Sequence, residues 1–424
     1  MKVLLVQSWL GGAELPIFPL GLASIKSSLK DHDVKVFDPN ISQRPFEELE
    51  AVLRSFRPEV VGISLRNIDS TNKRKVVFYY GFLRDTIKRI KELSKARVVL
   101  GGTGFSIYAR EIMEDEPGID FGVYLEGEGT FARLLENIEA PEKVKSLYIR
   151  KNGRVEFTGG GGPLKMEGLG LPDCEGFDIE SYKSAPDAFG VETKRGCALE
   201  CIYCIYGFLN GKGYRLRDPA KVADEIEGLV GKYGVERFTF VDSVFNIPKR
   251  HATEICAEII RRGIRVRWSA WFNERELTED FAELARKAGC DNFILSPDGF
   301  SDGVLKKLGK NITKRDIIRA GKILQGMEGT EVSYNFFKNP PGQSYPAFLA
   351  LILFCLRARM RMGKRVHFEF NSIRIEPHTR LYETALEEGF IDKADSLLEP
   401  RYYTNPDTRL IDRIFNLALR LRGK

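Results

Sequence analysis

Twice along this chain, apolar runs of strand length alternate with amphipathic runs of helix length, and a glycine-rich break separates the two series. The first series has strand candidates at 2–7, 34–38, 59–65, 96–102 and 120–129. Helical spacing fills the gaps over 20–32, 46–56, 73–94, 106–114 and 130–138. Strands that are apolar throughout are buried on both faces, so the pattern predicts an open parallel sheet covered by helices, a Rossmann-like α/β domain. Ligands of such sheets sit at the carboxyl ends of the strands. Gly101, Gly102, Gly104, Gly127 and Gly129 fall there.

The break, "LYIRKNGRVEFTGGGGPLKMEGLGLPD", holds a hairpin signal at Asn152-Gly153 and then four consecutive glycines. It reads as a linker. The second series starts near Gly190, with strands expected at 190–196, 237–242, 265–270, 291–296, 331–337 and 367–375. Helices are expected at 219–232, 249–262, 278–288, 314–325, 345–360 and 379–388. Six β-α units are two short of a closed eightfold barrel, so a partial (β/α)6 barrel is predicted. The domain division is then 1–140, a linker over 141–188, a barrel over 189–389 and a short extension over 390–424.

A chain of 424 residues is long enough for two cores. Its charge, 65 Lys and Arg against 59 Asp and Glu, is a mild excess spread along the chain, with no basic stripe that argues for nucleic acid. "MKVLLVQS" runs straight into a strand and lacks the features of a signal peptide. The longest apolar run, "AFLALILFCL" (347–356), is too short to span a bilayer and reads as a buried core helix, although "RARMRMGKR" follows it directly. Stable membrane insertion is not expected. Seven cysteines, three of them clustered, suit a reducing cytoplasm better than a disulfide framework. The scattered Cys174, Cys256, Cys290 and Cys355 read as small buried residues.

The clustered three lie in "KRGCALECIYCIYG" (194–207), just after the first strand of the second series. Barrels of this kind carry their chemistry at that strand edge. Closed zinc sites use four ligands, and none of the four histidines is adjacent. A zinc site with a distant fourth ligand is one reading. The other is a [4Fe–4S] cubane, in which three thiolates leave one iron open. The amino and carboxylate groups of S-adenosylmethionine suit that vacancy.

Cys197-x3-Cys201-x2-Cys204, with Tyr203 before the last cysteine, resembles the signature of the radical S-adenosylmethionine enzymes. "RLRDPAKVADEIEGLV", "FTFVDSVFN", "NERELTEDFAELARKAGC", "KNPPGQS" and "IEPHTRLYETALEEGF" are similar, in order, to blocks of the cobalamin-binding class. "FPLGLASIKSSLK", "VVLGGTGFS" and "LEGEGTFARLLENI" resemble its cobalamin-domain segments. The likeness covers roughly residues 2–390. It departs from the pattern at three places. The Asp-x-His-x-x-Gly motif is absent, since Asp31-His32-Asp33 does not match it. Pro297-Asp298-Gly299 stands for the usual Glu-Ser-Gly, and Pro377-His378-Thr379 for Pro-Gly-Thr.

The resemblance implies roles. Cys197, Cys201 and Cys204 would hold the cluster, and Tyr203 would stack near adenine. Asp242 and Ser243 would meet the methionine amine, Asn273 its carboxylate, and Asp298 the ribose hydroxyls. Gly101, Gly102, Thr103, Gly104, Glu126, Gly127 and Glu128 would line the cobalamin tail, with Arg66 beneath the corrin. His378, Tyr334 and Glu369 would line the substrate chamber. The implied activity is C-methylation of an unactivated sp3 carbon with a [4Fe–4S] cluster, S-adenosylmethionine and cobalamin, fed by an electron donor. The substrate is a peptide, a protein or a small molecule. Compactness resembles the glutamine C-methyltransferases of methyl-coenzyme M reductase. The rival readings are cyclisation or rearrangement of a metabolite, tetrapyrrole or lipid, sulfur insertion into RNA, and a non-catalytic corrinoid- or metal-binding module.

Overall fold

The structure is a computed structural model that describes residues 1–12 and 14–420. It divides into two compact units, Met1–Gly190 and Val191–Lys424. The first is built from β1 (Lys2–Gln7), α1 (Leu20–Ser27), β2 (Asp33–Phe37), α2 (Pro45–Phe56), β3 (Val60–Ser64), α3 (Tyr79–Leu93), β4 (Arg97–Gly101), α4 (Thr103–Ile107), α5 (Ala109–Asp115), β5 (Phe121–Val123), α6 (Glu128–Glu136), β6 (Leu147–Lys151) and β7 (Arg154–Phe157). Its sheet runs β2-β1-β3-β4-β5-β6-β7. The first five strands pair in parallel, with Val3 beside Val60 and Val60 beside Arg97. The order reverses between β1 and β3, and that switch point marks the crevice of the sheet.

Local chemistry explains several boundaries. Pro45 occupies the first turn of α2, Glu47 and Glu48 complement its positive end, and Leu49 and Leu53 face inward. The helix expected from Lys73 begins only at Tyr79. Before it, residues 65–78 form a loop in which Asp69 accepts from the Thr71 amide at 2.7 Å and Ser70 N–H bonds Val77 O at 2.9 Å.

Residues 141–188 are not a free linker. Strand β6 pairs antiparallel with β5, and β7 with β6, so the Asn152-Gly153 hairpin extends the first sheet. Leu147 and Ile149 enter the same core as Val3, Val60, Val99 and Phe131. Farther on, Tyr182 is buried and donates to Asp38 at 2.6 Å, while Phe177 and Phe189 pack on Phe18. Apolar anchors spaced along the segment, on both sides of the glycine run, hold it.

The second unit contains β8 (Gly190–Val191), β9 (Lys194–Arg195), α7 (Tyr206–Asn210), β10 (Arg215–Leu216), α8 (Pro219–Tyr233), β11 (Arg237–Phe240), α9 (Lys249–Arg261), β12 (Arg267–Phe272), α10 (Glu279–Lys287), β13 (Cys290–Asp298), α11 (Asp302–Lys307), α12 (Lys314–Gln325), β14 (Glu331–Phe337), α13 (Tyr345–Met362), β15 (Val366–Asn371), β16 (Ile373–Arg374), α14 (Arg380–Glu387), β17 (Tyr402–Tyr403) and α15 (Leu410–Arg420). Six strands line up as β15-β14-β13-β12-β11-β8, the expected partial barrel. The first predicted strand is split, because β9 leaves the sheet to pair with β10. Its core is aromatic: Phe240, Phe245, Trp268, Phe272 and Phe293 form a chain of ring contacts. Trp268 donates from its indole N–H to Ala288 O at 2.8 Å.

The segment after 390 is integrated. β17 pairs with β16, and Phe415 packs on Phe348 and Phe370. The expected core helix α13 also differs from expectation, because only Leu351, Cys355 and Met362 along it are buried. Cys174, Cys256, Cys290 and Cys355 are buried, as expected. No helix among the described residues is long and apolar enough to cross a membrane.

Candidate active site

The cysteine loop leaves the barrel at Gly196. Its φ is +97°, and a Cβ there would stand 1.9 Å from Gly213 O, so only glycine lets the chain turn between β9 and Cys197. Backbone bonds then pin the loop: Cys197 N–H to Gly211 O at 3.0 Å, Ile202 N–H to Leu308 O at 3.0 Å, and Leu381 N–H to Ile202 O at 2.8 Å. All three thiols line one cavity of about 440 Å³. Burial raises the pKa of Cys201 and pushes Cys204 up to about 12. Thiols so placed ionise when a cation binds them, which suits metal ligands. Among the described residues no three His, Cys, Asp or Glu side chains converge as a cage for a single ion. Ligands to three different irons need not converge on one point.

The same cavity gathers Tyr203, Asp242, Ser243, Asn273 and His378. It also collects two residues that motif reading passed over, Glu274 and Lys310. Asp242 is wholly buried as a side chain, yet its oxygens are taken. They accept from Thr193 N–H at 2.8 Å, Thr193 Oγ1 at 2.5 Å and Lys194 Nζ at 2.8 Å. That engagement departs from the expected ammonium contact, and makes Asp242 an anchor for the strand that feeds the cysteine loop. Asn273 is also engaged, donating to Asn311 Oδ1 at 2.9 Å and accepting from the Arg275 amide at 3.1 Å. Ser243 Oγ reaches Gly196 O at 3.3 Å.

Asp298 sits at φ +63° and bonds both Tyr203 Oη and Lys310 Nζ, the latter at 2.7 Å. Lys310 also donates to Ser296 O at 2.6 Å. Burial alone would lower the Lys310 pKa, but Asp298, Cys201 and Glu274 hold it above the usual lysine range. Both bonds fall on Oδ2 of Asp298, the carboxylate for which the resemblance implies the ribose hydroxyls. Glu274 is 2% exposed, its Oε1 has no hydrogen-bond partner, and burial pushes its pKa up to about 7. An unpartnered buried carboxyl oxygen facing a cavity is a place for a ligand donor. His378, with φ +62°, stacks on Phe208 with ring centres 4.0 Å apart and planes 5° from parallel.

Two expected chamber residues are absent from the lining of this cavity. Side chains of a strand alternate, and on β14 it is Asn335 that points to the interior, donating to Ser296 Oγ at 3.1 Å. Tyr334 takes the opposite face and lines a second cavity beneath the helices. Glu369 pairs in register with Asn335 but on the exposed edge strand β15, outside the first cavity.

In the first unit, Gly101, Gly102, Thr103 and Gly104 follow β4, and Glu126, Gly127 and Glu128 follow β5. Part of this edge is consumed internally. Gly102 has φ +100°, and a Cβ on it would lie 2.5 Å from Leu65 O. Thr103 Oγ1 donates to Arg66 O at 2.6 Å, and Glu126 accepts from the Leu164 amide at 2.6 Å. These glycines therefore let two loops meet. The Arg66 side chain is half-buried and lies close enough to Tyr79 to act on its ionisation. At the switch point Asn40 ties down the loop after β1, accepting from Leu10 N–H at 2.8 Å and donating to Ser8 O at 3.0 Å. Ser8 Oγ is buried there without a partner, a polar position that fits a bound group at this crevice.

Comparison with known proteins agrees with both units. The B12 binding domain family matches residues 10–135, and the radical SAM superfamily matches residues 191–355. An uncharacterized methyltransferase of Pyrococcus horikoshii is 25% identical over 424 residues, covering 96% of this chain and 88% of that protein. The anaerobic magnesium-protoporphyrin IX monomethyl ester cyclase of Synechocystis is 29% identical over 324 residues, 71% of this chain and 61% of the cyclase. The radical S-adenosylmethionine methyltransferase TsrM of Kitasatospora setae, solved with cobalamin and a [4Fe–4S] cluster, superposes with a TM-score of 0.79 at 24% identity, over 91% of this chain and 78% of that one.

Proposed function

We infer that this enzyme, which joins a B12-binding domain to a radical S-adenosylmethionine domain and uses cobalamin, a [4Fe–4S] cluster and S-adenosylmethionine, transfers a methyl group to carbon. The observation that carries the reading is the first cavity, where three thiols share one space with an unpartnered carboxyl oxygen of Glu274. Two similar proteins, of Pyrococcus horikoshii and Kitasatospora setae, are called methyltransferases. When bound, the cluster and S-adenosylmethionine supply one-electron chemistry, and cobalamin supplies methyl-group carriage.

The chain's own residues hold and orient. Cys197, Cys201 and Cys204 would ligate the cluster. Lys194 and Asp242, locked together at 2.8 Å, keep the strand before Cys197 in place. Lys310 holds Asp298 and, through it, Tyr203 beside Cys204. Glu274 presents an acceptor to a cationic or hydroxyl-bearing group, and the Phe208–His378 stack forms one wall. The acceptor is an unactivated sp3 carbon of a peptide, protein or small molecule. A glutamine side chain of methyl-coenzyme M reductase is the first protein substrate to try. The cyclase likeness favours a second reading, oxidation or ring closure of a tetrapyrrole without methyl transfer.

Anaerobic reconstitution with iron, sulfide and cobalamin, then incubation with methyl-labelled S-adenosylmethionine and candidate substrates, separates these. Label in product supports methyl transfer. An unlabelled, altered product favours cyclisation. Fully loaded protein that consumes no S-adenosylmethionine with any candidate argues for a binding module.

A further inference from the structure

We propose that the second cavity of the barrel unit is a binding site for an anionic amphiphile, an apolar tail under a phosphate or carboxylate head. It lies on the opposite face of β14 from the cysteines, beneath α12 and α13, and encloses about 320 Å³. Small-molecule pockets start at roughly 300 Å³. Its walls are apolar: Phe300, Ile318, Leu353, Phe354 and Met362. Tyr334 also lines it, 1% exposed, with a hydroxyl that has no hydrogen-bond partner. Gly321 lines the cavity too, and a Cβ there would stand 2.9 Å from the Tyr334 hydroxyl, so that space depends on the glycine.

The charged residues of the lining are all cationic. Lys314, Lys322, Arg357 and Arg361 contribute, and no Asp or Glu does. Among the described residues none of the four makes an ion pair, whereas Arg250 and Arg261 of α9 and Arg286 of α10 do, and Arg262, just past α9, meets three carboxylates. Lys314 stands over the Phe300 ring at 5.1 Å. Four like charges left unneutralised beside an apolar hollow gain from an arriving anion.

An apolar path leads in. Tyr345, Leu349, Leu353, Leu356 and Met360 follow helical spacing along α13 and are all exposed, Leu349 by 60% and Met360 by 78%. Leu353 belongs both to this stripe and to the cavity wall. A neutral apolar guest leaves the cations unused, and a free phosphate leaves the walls unused. An amphiphile meets both and gives the Tyr334 hydroxyl an acceptor. The inference does not depend on the reaction carried out at the cysteines.

Calorimetric titration of the full chain, loaded with its cofactors, tests it with dodecyl phosphate, dodecanol and inorganic phosphate below micelle-forming concentrations. Dodecyl phosphate is expected to bind one to one, at least about tenfold tighter than dodecanol, and inorganic phosphate not at all. Arg357→Glu with Arg361→Glu weakens dodecyl phosphate about tenfold or more while iron content stays constant. Ala358→Trp, a separate change in the cavity wall, abolishes binding by filling it. Cosedimentation with phosphatidylglycerol but not phosphatidylcholine vesicles, lost in the same charge reversal, assigns the amphiphile to a membrane. Monomer binding without vesicle binding assigns it to solution. Equal affinity for phosphate and alcohol, indifference to both substitutions, or no binding of amphiphile or anionic vesicle overturns the proposal. So does a dimer in light scattering that Leu349→Lys dissociates, because the stripe is then covered by a second copy.

Discussion

At the carboxyl edge of the barrel sheet, buried charges meet in pairs: Lys194 with Asp242, and Lys310 with Asp298, each at 2.8 Å or less. At the carboxyl edge of the first sheet the joints are made of backbone and hydrogen-bonded polar side chains. There Gly102 lies against Leu65 O, Asn40 bridges the loop after β1, and the Tyr182 hydroxyl meets Asp38. The difference teaches how each edge holds its shape. A buried ion pair fixes two side chains at a desolvation cost and fails badly if one partner is lost. Loop-on-loop packing fixes the main chain and is broken by a single added carbon. The first arrangement suits a site where individual side chains orient a small reactant. The second suits a broad crevice formed by main chain.

The largest break in this comparison is expected from Lys194→Met. It strands the Asp242 carboxylate in a site where both side chains are at most 1% exposed, a loss of about 3–5 kcal/mol. Urea unfolding should record it, and pairing Lys194→Met with Asp242→Leu should recover much of it. Recovery of nothing would mean the pair itself does not matter.

Glu274→Gln follows. Burial lifts this carboxyl from 4.5 to about 7 in the folded protein. Between those values the native state keeps a proton that the unfolded chain has released, so stability falls as pH rises from about 4.5 to about 7 and then levels off. The cofactor-free Gln variant should lack that slope. It should exceed its parent by about 3 kcal/mol near pH 8 and show little gain near pH 4.5. Parallel stability curves for the two proteins would refute the assignment.

Gly102→Ala places a side chain at φ +100° and a carbon 2.5 Å from Leu65 O, a cost of roughly 1–3 kcal/mol. Hydrogen exchange should rise in residues 60–105 and cobalamin affinity should drop, with iron incorporation unaltered. Equal damage to both would erase the contrast between the two edges. The smallest effect, about 1 kcal/mol, is expected from Tyr182→Phe, which removes the 2.6 Å bond to Asp38. Faster exchange confined to 177–189 and the end of β2 would mark that segment as part of the first unit.

Much of this was legible because it is local. The cysteine spacing needs only eight consecutive residues, and strand–helix alternation is a property of short windows. The hairpin at Asn152-Gly153 was also visible, but the glycine run after it suggested a linker, since pairing of β6 with β5 is invisible in either segment alone. Lys194 and Lys310 escaped notice for the same reason. A lysine beside a cysteine motif and another in a loop carry no signal until the chain brings Asp242 and Asp298 against them. Tyr334 lines the second cavity because neighbouring residues of a strand face opposite ways, and only packing against α12 and α13 chooses the face.

By itself the sequence determined the two α/β series, the cofactor signature and the kind of residue at each strand end, because periodicity and spacing act over a few residues. The tertiary structure alone decided the strand order β2-β1-β3 and the partners that occupy Asp242 and Asp298. It also decided which face of β14 meets the cysteines and that α13 keeps an apolar stripe in the open. These depend on contacts between residues tens of positions apart, whose free energy exists only once the chain has closed on itself.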